Sequence, residues 1–446
     1  MILKKFNLSL EHKISEFKKI IEVDPDKSIS IRSFIIGALS HNISFVKNVL
    51  ESHDVLSTIN CLRKLGVKIK KIKPKNYLIH GKGIGSLYAK KNTLLNFGNS
   101  GTLARLLIGA LSTTPGIEIK MQGDRSLNKR SMKKLIDLMS KFGAFFVPKN
   151  KFNFPLKLIS SEMPIGIKYK AGVSAQLKSA VILAGLNSSG NTTIIEQKKS
   201  RDHTERMLLQ NVHAIKIGNK KKKLIKVIGK EYLKPININI PNDPSSAAFF
   251  TALTLLKKKS SLKIKNVGLN QTRIGFYQLL KKHGAQIKFE NLKKQNNEIR
   301  GNIIVKSSKL KPIRASQNYY VNSTDEYPIL FIIASLTEGT SFFEGISDLA
   351  NKESNRIIEM QKILKQIGVK SNFTNDKIKI YGSKNININQ KIFVPNLGDH
   401  RICMSTFILA ILTGANTMIT NFETVFSSSP SFLKIMKKLG VKFEIH

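Results

Sequence analysis

The sequence predicts a mixed α/β fold, of the α+β type, built from two similar halves. Three observations lead there. A short polar turn opens a compact apolar stretch six times, a helix–Gly–strand joint recurs in step with it, and 446 residues with 41% hydrophobic content suffice for two cores.

The six stretches set the order of the elements. The first three are K-S-I-S-I-R-S-F-I-I-G-A-L from Lys27, N-S-G-T-L-A-R-L-L-I-G-A-L from Asn99 and V-S-A-Q-L-K-S-A-V-I-L-A-G from Val173. The others are D-P-S-S-A-A-F-F-T-A-L from Asp243, T-D-E-Y-P-I-L-F-I-I-A-S-L from Thr324 and G-D-H-R-I-C-M-S-T-F-I-L-A from Gly398. Counted at Ser28, Ser100, Ser174, Ser245, Asp325 and Asp399, they recur every 71 to 80 residues, so one supersecondary unit is used six times. Each start carries Ser, Thr, Asp, Lys or Arg, where unpaired backbone N–H groups and the positive end of the helix dipole favour anions.

Late in each unit an amphipathic segment ends in Gly and leads into a strand-like run. These joints are L-R-K-L-G-V-K-I to Ile69, M-S-K-F-G-A-F-F to Phe146, L-L-K-K-H-G-A-Q-I to Ile287, I-L-K-Q-I-G-V-K to Lys370 and I-M-K-K-L-G-V-K-F to Phe443. Gly accepts the left-handed conformation that stops a helix, and Lys near the end complements the negative pole. The third unit has His213 where the Gly is expected. Six units divide into three plus three, with a break near Pro241–Pro244. Nearly thirty residues precede the first polar start, so the N-terminal strand is assigned to the later half. The expected domains are residues 1–25 with 242–446, and residues 26–241.

Composition excludes several classes. The net charge of +45 comes mostly from Lys spread along the whole chain, and Trp is absent, which argues against a nucleic-acid-binding face. The runs Lys220–Lys223 and Lys257–Lys259 read as solvated loops. Cys61 and Cys403 are the only cysteines, and no metal-ligand spacing is found, so neither a disulfide framework nor a metal site is expected. The start M-I-L-K-K-F-N-L has no long apolar core. The uncharged window Ile402–Phe422 contains the turn Gly414-Ala415-Asn416 and reads as a buried helix followed by a strand, not a membrane span. No membrane or nucleic-acid partner and no cofactor is expected; a cytoplasmic monomer is.

The polar starts carry further pattern. K-S-I-S-I-R at Lys27–Arg32, N-S-G-T-L-A-R at Asn99–Arg105, S-A-Q at Ser174–Gln176, R-D-H-T-E at Arg201–Glu205, D-E-Y-P at Asp325–Pro328, K-E-S-N-R at Lys352–Arg356 and G-D-H-R at Gly398–Arg401 together resemble the 5-enolpyruvylshikimate-3-phosphate synthase family of enolpyruvyl transferases. The likeness runs in order from about residue 20 to 445. It implies two domains of three βαβαββ repeats each, an inside-out α/β barrel with the active site in the interdomain cleft. It also implies transfer of the enolpyruvyl group from phosphoenolpyruvate to the 5-hydroxyl of shikimate 3-phosphate, with release of phosphate through a tetrahedral intermediate.

Carried over by position, the resemblance places phosphoenolpyruvate against Lys27, Asn99, Gly101, Arg130, Gln176, Arg356 and Arg401. Arg matches carboxylate and phosphate with two parallel hydrogen bonds, and Gly101 lets the backbone approach without a Cβ. Shikimate 3-phosphate is expected on Ser28, Arg32, Ser174, Ala175, Gln176, Ser200, Arg201, Asp325 and Lys352. Ser28 and Ser174 also read as helix N-caps. Asp325 is the expected base for the 5-hydroxyl and Glu353, assisted by Lys27, the acid for the methylene carbon; helix-start capping is the other reading of both acids. Gly101 further implies inhibition by glyphosate, because family members with Ala there exclude it sterically.

The chain departs from the family pattern at Ala350, Asn355, Leu106 and Ser131, and V-F-S-S-S-P-S-F at Val425–Phe432 lacks a late Lys. An Asp at position 355 would orient Arg356; Asn355 removes that charge. Two other readings stay open. The sister transferase acting on UDP-N-acetylglucosamine usually carries a reactive Cys in the region of Gly123–Ser131, which here reads G-D-R-S-L-N-K-R-S. A non-catalytic anion- or nucleic-acid-binding protein on the same scaffold would not need the two carboxylates.

Overall fold

The computed structural model describes residues 5–219, 223–384, 386, 388 and 390–446; Lys220–Lys222 of the first lysine run and the first four residues lie outside them. The chain forms two compact units. A flanking unit holds the chain up to Asp24, Pro241–Lys293 and Ile299–His446, and an inserted unit holds Pro25–Ile240 and Lys294–Glu298.

Among the described residues there are six four-stranded sheets, three in each unit, and each follows one plan. Two parallel strands lie side by side with two further strands beyond them. In the sheet Lys168–Ala171, Asn191–Glu196, Lys223–Ile228, Ile215–Asn219, the first pair is parallel and the rest antiparallel. The buried helix Ala175–Leu186 joins the parallel pair, and helix His203–Leu208 precedes the last hairpin. That is one βαβαββ unit. Helix Gly101–Leu111 does the same between Thr93–Asn96 and Glu118–Gln122. Helix His400–Thr413 does so between Ile392–Val394 and Thr417–Ile419.

Three short strands come from outside their own repeat. Asn237–Asn239 lies parallel to Ile43–Lys47 and completes the first sheet. Lys18–Ile21 lies parallel to Ser261–Gly268 and completes the fourth. Leu8–Leu10 sits antiparallel between Thr417–Ile419 and Glu444–Ile445 and completes the sixth.

The helices explain the composition of the six stretches. In Lys27–Leu39 every residue from Ile29 onward is buried, and in Pro244–Leu256 all but the last are. A helix apolar on every side belongs inside a core. Each unit has its own core cluster, one around Phe249, Phe331 and Phe407, the other around Phe34, Leu107 and Ile182. Helices Gly101–Leu111 and Ala175–Leu186 pack at close range, since a Cβ on Gly109 would lie 2.6 Å from the Ala180 carbonyl oxygen. That contact lines up the two polar starts. The joints stop as expected: Gly66, Gly143, Gly284, Gly368 and Gly440 all have φ between +72° and +95°. At the third joint His213 stacks on Tyr232 instead, with ring centroids 5.4 Å apart.

The uncharged window from Ile402 resolves into helix His400–Thr413, a left-handed Gly414 and strand Thr417–Ile419. No helix among the described residues is long and apolar enough to cross a membrane. Nor do the described residues contain a group of three His, Cys, Asp or Glu side chains that could hold a metal ion.

Candidate active site

In the flanking unit the decisive side chain is Arg356, first residue of helix Arg356–Gln366 and 1% exposed. Its Nε donates to Asp399 Oδ2 at 2.9 Å and its Nη2 to Asp399 Oδ1 at 3.2 Å and to Glu353 Oε2 at 2.7 Å. Nη1 lies 3.8 Å from Asp325 Oδ1. One buried guanidinium therefore gathers both expected catalytic carboxylates and a third acid. Burial alone would lower the Arg356 pKa, but Asp399 and Glu353 beside it raise it above the ordinary value. The group stays a cation.

Asp399 also caps helix His400–Thr413 by accepting from the Arg401 N–H at 2.9 Å. The Arg401 side chain is 4% exposed, with Cζ 5.8 Å from the Phe249 ring centroid. Its Nε and Nη1 are buried and meet no hydrogen-bond acceptor. A charged donor held like this is costly unless an anion completes it.

Asn355 does not orient Arg356. Its Oδ1 caps helix Arg356–Gln366 by accepting from Ile358 N–H at 3.3 Å, while Asp399 and Glu353 hold the arginine. The departure from the family pattern thus leaves Arg356 anchored. Lys352 donates from its Nζ to Asp348 Oδ2 at 2.5 Å. Asp325 sits in the 3-10 turn Thr324–Glu326, not in a capping position.

In the inserted unit the starts of helices Gly101–Leu111 and Ala175–Leu186 meet. Arg130 Nη2 donates to Asn99 Oδ1 at 2.6 Å, and Asn99 Nδ2 donates to Asp124 Oδ2 at 2.8 Å. A Cβ on Gly101 would stand 3.3 Å from Arg130 Nη1 and 2.8 Å from Arg105 Nη1. Gln176 donates to Thr102 Oγ1 at 2.9 Å and accepts from Arg105 Nη1 at 2.7 Å. Asn99, Gly101, Arg130 and Gln176 are thus linked, with Arg105 as the connector that motif reading left without a role.

Ser174 caps its helix by accepting from Leu177 N–H at 3.4 Å, with Ala175 the first helical residue. Ser28 is no cap. Asp26 takes that place, accepting from Ile29 N–H at 2.8 Å, which puts Ser28 in the helix and leaves its hydroxyl out of the capping bond. Arg32 Nη1 donates to the Ser28 carbonyl at 3.0 Å and Nε to Thr204 Oγ1 at 3.0 Å. Lys27 Nζ lies 3.1 Å from Asp54 Oδ2. Ser200 is fully buried, and its hydroxyl donates to Glu196 Oε1 at 2.8 Å. Arg201 follows it directly, half-buried.

The family model described as EPSP synthase (3-phosphoshikimate 1-carboxyvinyltransferase) matches residues 12–436. The 3-phosphoshikimate 1-carboxyvinyltransferase of Zymomonas mobilis is 38% identical over 430 residues, which span 95% of this chain and 94% of that protein. The chain belongs to the EPSP synthase family.

Solved structures agree. EPSP synthase from Acinetobacter baumannii superposes with a TM-score of 0.84 at 34% identity, covering 99% of this chain and all of that one. The enolpyruvyl transferase NikO from Streptomyces tendae reaches 0.77 at 13% identity over 99% of each chain, which shows the shared fold alone. Asp399, Arg105 and Asp124, which hold Arg356, Gln176 and Asn99, were quoted within motifs but given no role.

Proposed function

We propose that this family member transfers the enolpyruvyl group of phosphoenolpyruvate to the 5-hydroxyl of shikimate 3-phosphate. The observation that carries the assignment of roles is the gathering of Asp325 and Glu353 on one buried guanidinium, beside an Arg401 whose buried donors meet no acceptor.

Asp325 takes the hydroxyl proton as the oxygen bonds to C2 of phosphoenolpyruvate, and Glu353, assisted by Lys27, gives a proton to the C3 methylene. The result is a tetrahedral adduct. Its C–O bond to phosphate then breaks, a C3 proton returns to Glu353, and the double bond re-forms. Arg356 and Arg401 hold the phosphoenolpyruvate charges with Lys27, Asn99, Gly101, Arg130 and Gln176. A substrate carboxylate on Arg356 would displace Glu353 from Nη2 and turn it toward the methylene carbon. Shikimate 3-phosphate is read onto Ser28, Arg32, Ser174, Ala175, Gln176, Ser200, Arg201, Asp325 and Lys352. Lys352 must leave Asp348 to reach it.

We read the two units as the two domains and the protein as a cytoplasmic monomer; light scattering and cell fractionation test the latter. Phosphate release tests the activity. It is expected only when both shikimate 3-phosphate and phosphoenolpyruvate are supplied. Release with UDP-N-acetylglucosamine in place of shikimate 3-phosphate, or with neither acceptor, overturns the reading.

A further inference from the structure

Four charged side chains lie packed together beneath the Ser200–Arg201 turn. Lys178 stands one turn into helix Ala175–Leu186, where the buried run of that helix begins, and its ammonium is wholly buried. It meets Glu196 Oε1 at 2.6 Å and Glu205 Oε1 at 2.7 Å. Lys223, 16% exposed, approaches the same two acids at 3.3 and 3.5 Å. The charges balance, yet a buried ion cluster is seldom more stable than an apolar packing of the same volume. Stability alone does not account for it.

Its connection to the chain does. Glu196 ends strand Asn191–Glu196, and helix His203–Leu208 begins seven residues later. Glu196 Oε1 accepts from the Ser200 N–H and from the Ser200 hydroxyl, each at 2.8 Å. Lys178 Nζ donates to the Ser200 carbonyl at 3.5 Å. Ser200 is thus held at its amide, its side chain and its carbonyl, which fixes the direction in which the chain enters Arg201. Arg32 is braced nearby, by Ser179 on the helix of Lys178 and by Thr204 beside Glu205.

We propose that Glu196, clamped by Lys178, is a positioning residue for the phosphate of shikimate 3-phosphate. By locking Ser200 it aims the Arg201 guanidinium at the phosphate before the substrate arrives, and Glu196 itself touches no substrate. The assignment rests on shikimate 3-phosphate being the acceptor.

The test uses the full-length protein. For Glu196→Gln, affinity for shikimate 3-phosphate, measured by calorimetry and as KM, is expected to fall about tenfold. The kcat at saturation and the KM for phosphoenolpyruvate should stay within about twofold. In an Arg201→Ala background the same substitution should cost less than it does in the unaltered protein, because only Ser200 is then left for Glu196 to place. Lys223→Met, at a partly exposed site, should give a smaller loss of about two- to threefold with the same KM-only signature. Unchanged shikimate 3-phosphate affinity in both variants overturns the proposal. So do equal losses toward both substrates, or full additivity with Arg201→Ala. If the unaltered protein releases no phosphate from the two substrates, the proposed function fails instead, which is a separate result.

Discussion

Replacing Arg401 by Met sets stability against function in opposite directions. The guanidinium is 4% exposed, and its Nε and Nη1 meet no acceptor. Each unsatisfied buried donor costs about 1–3 kcal/mol, more when charged. The contact with Phe249, 5.8 Å from Cζ to the ring centroid, returns only about 0.5–2 kcal/mol. Met fills a similar volume and packs its sulfur against the same ring. The substrate-free variant should therefore be more stable by about 1–2 kcal/mol, which is about 2–8 °C in Tm for units of this size.

Catalysis should move the other way. Two charge-assisted hydrogen bonds to phosphoenolpyruvate are worth about 1.5–3 kcal/mol each. Losing both lowers kcat/KM for phosphoenolpyruvate by about 10²–10⁴, while binding of shikimate 3-phosphate alone stays within about threefold. Arg401→Lys keeps the charge but loses the fork, so it should fall between the two. Thermal unfolding without ligand, phosphate-release kinetics and calorimetry give the three numbers. A variant that loses several degrees of Tm while keeping its kinetics for phosphoenolpyruvate would show that Arg401 serves the fold and not the anion.

Three other outcomes follow from the geometry. The unaltered protein should be inhibited by glyphosate in competition with phosphoenolpyruvate. Gly101→Ala, whose Cβ would crowd Arg105 at 2.8 Å and Arg130 at 3.3 Å, should raise the glyphosate Ki far more than the KM, and equal changes in both would refute the idea. Asp325→Asn and Glu353→Gln should each lower kcat about 10²–10⁴-fold with shikimate 3-phosphate affinity within about threefold; single-turnover rates within tenfold of the original remove that residue from proton transfer. Burial alone would raise the Glu196 pKa, but Lys178 beside it holds the carboxyl below the ordinary value, while Lys178, lowered by burial but more strongly raised by Glu205 and Glu196, sits above its own. A lowered carboxylate stabilises fully above its unfolded value of about 4.3 and loses this as pH falls through the folded value; a raised lysine stabilises fully below about 10.4 and loses this as pH rises. The stability gap between the unaltered protein and Glu196→Gln should thus be widest from about pH 5 to 10 and shrink below about pH 4, and a gap independent of pH in denaturant titrations contradicts it.

What the sequence disclosed depends on how far each signal reaches along the chain. Five Gly residues at the helix–strand joints are left-handed because the stop is a backbone requirement of one residue, readable on the spot. The six apolar helices were legible for a similar reason, since burial on every side leaves no polar face to disguise the pattern. Ser28 shows where this fails. Asp26 and Ser28 are both good caps two residues apart, and it is the path of the chain into the helix that has Asp26 accept from Ile29. Lys178 shows a different limit. It was quoted within V-S-A-Q-L-K-S-A-V-I-L-A-G without a role, and its partners, Glu196 and Glu205, lie in a strand and another helix. The same holds for Asp399, which was quoted within G-D-H-R yet gained its role only once Arg356 was seen to bond it twice.

The repeats themselves show why a motif alone does not make a site. Helices Pro244–Leu256 and His400–Thr413 start alike, each capped by an Asp that also binds a buried Arg from elsewhere in the flanking unit. In the fourth repeat, Arg273 is absorbed by Asp243 and Ser245, at 3.0 and 2.9 Å, and Ser245 in turn donates to the buried Glu326. In the sixth, Asp399 engages Arg356 in the same way, but the residue two places on is Arg401 where the fourth repeat has Ser245. The small hydroxyl of Ser245 both accepts from Arg273 and donates to Glu326. A second guanidinium at the same place brings more donors than the surrounding acids can take up, and Nε and Nη1 of Arg401 are left over. The same helix start thus carries a hydroxyl bonded to protein in one copy and, in the other, the guanidinium proposed above to take phosphoenolpyruvate.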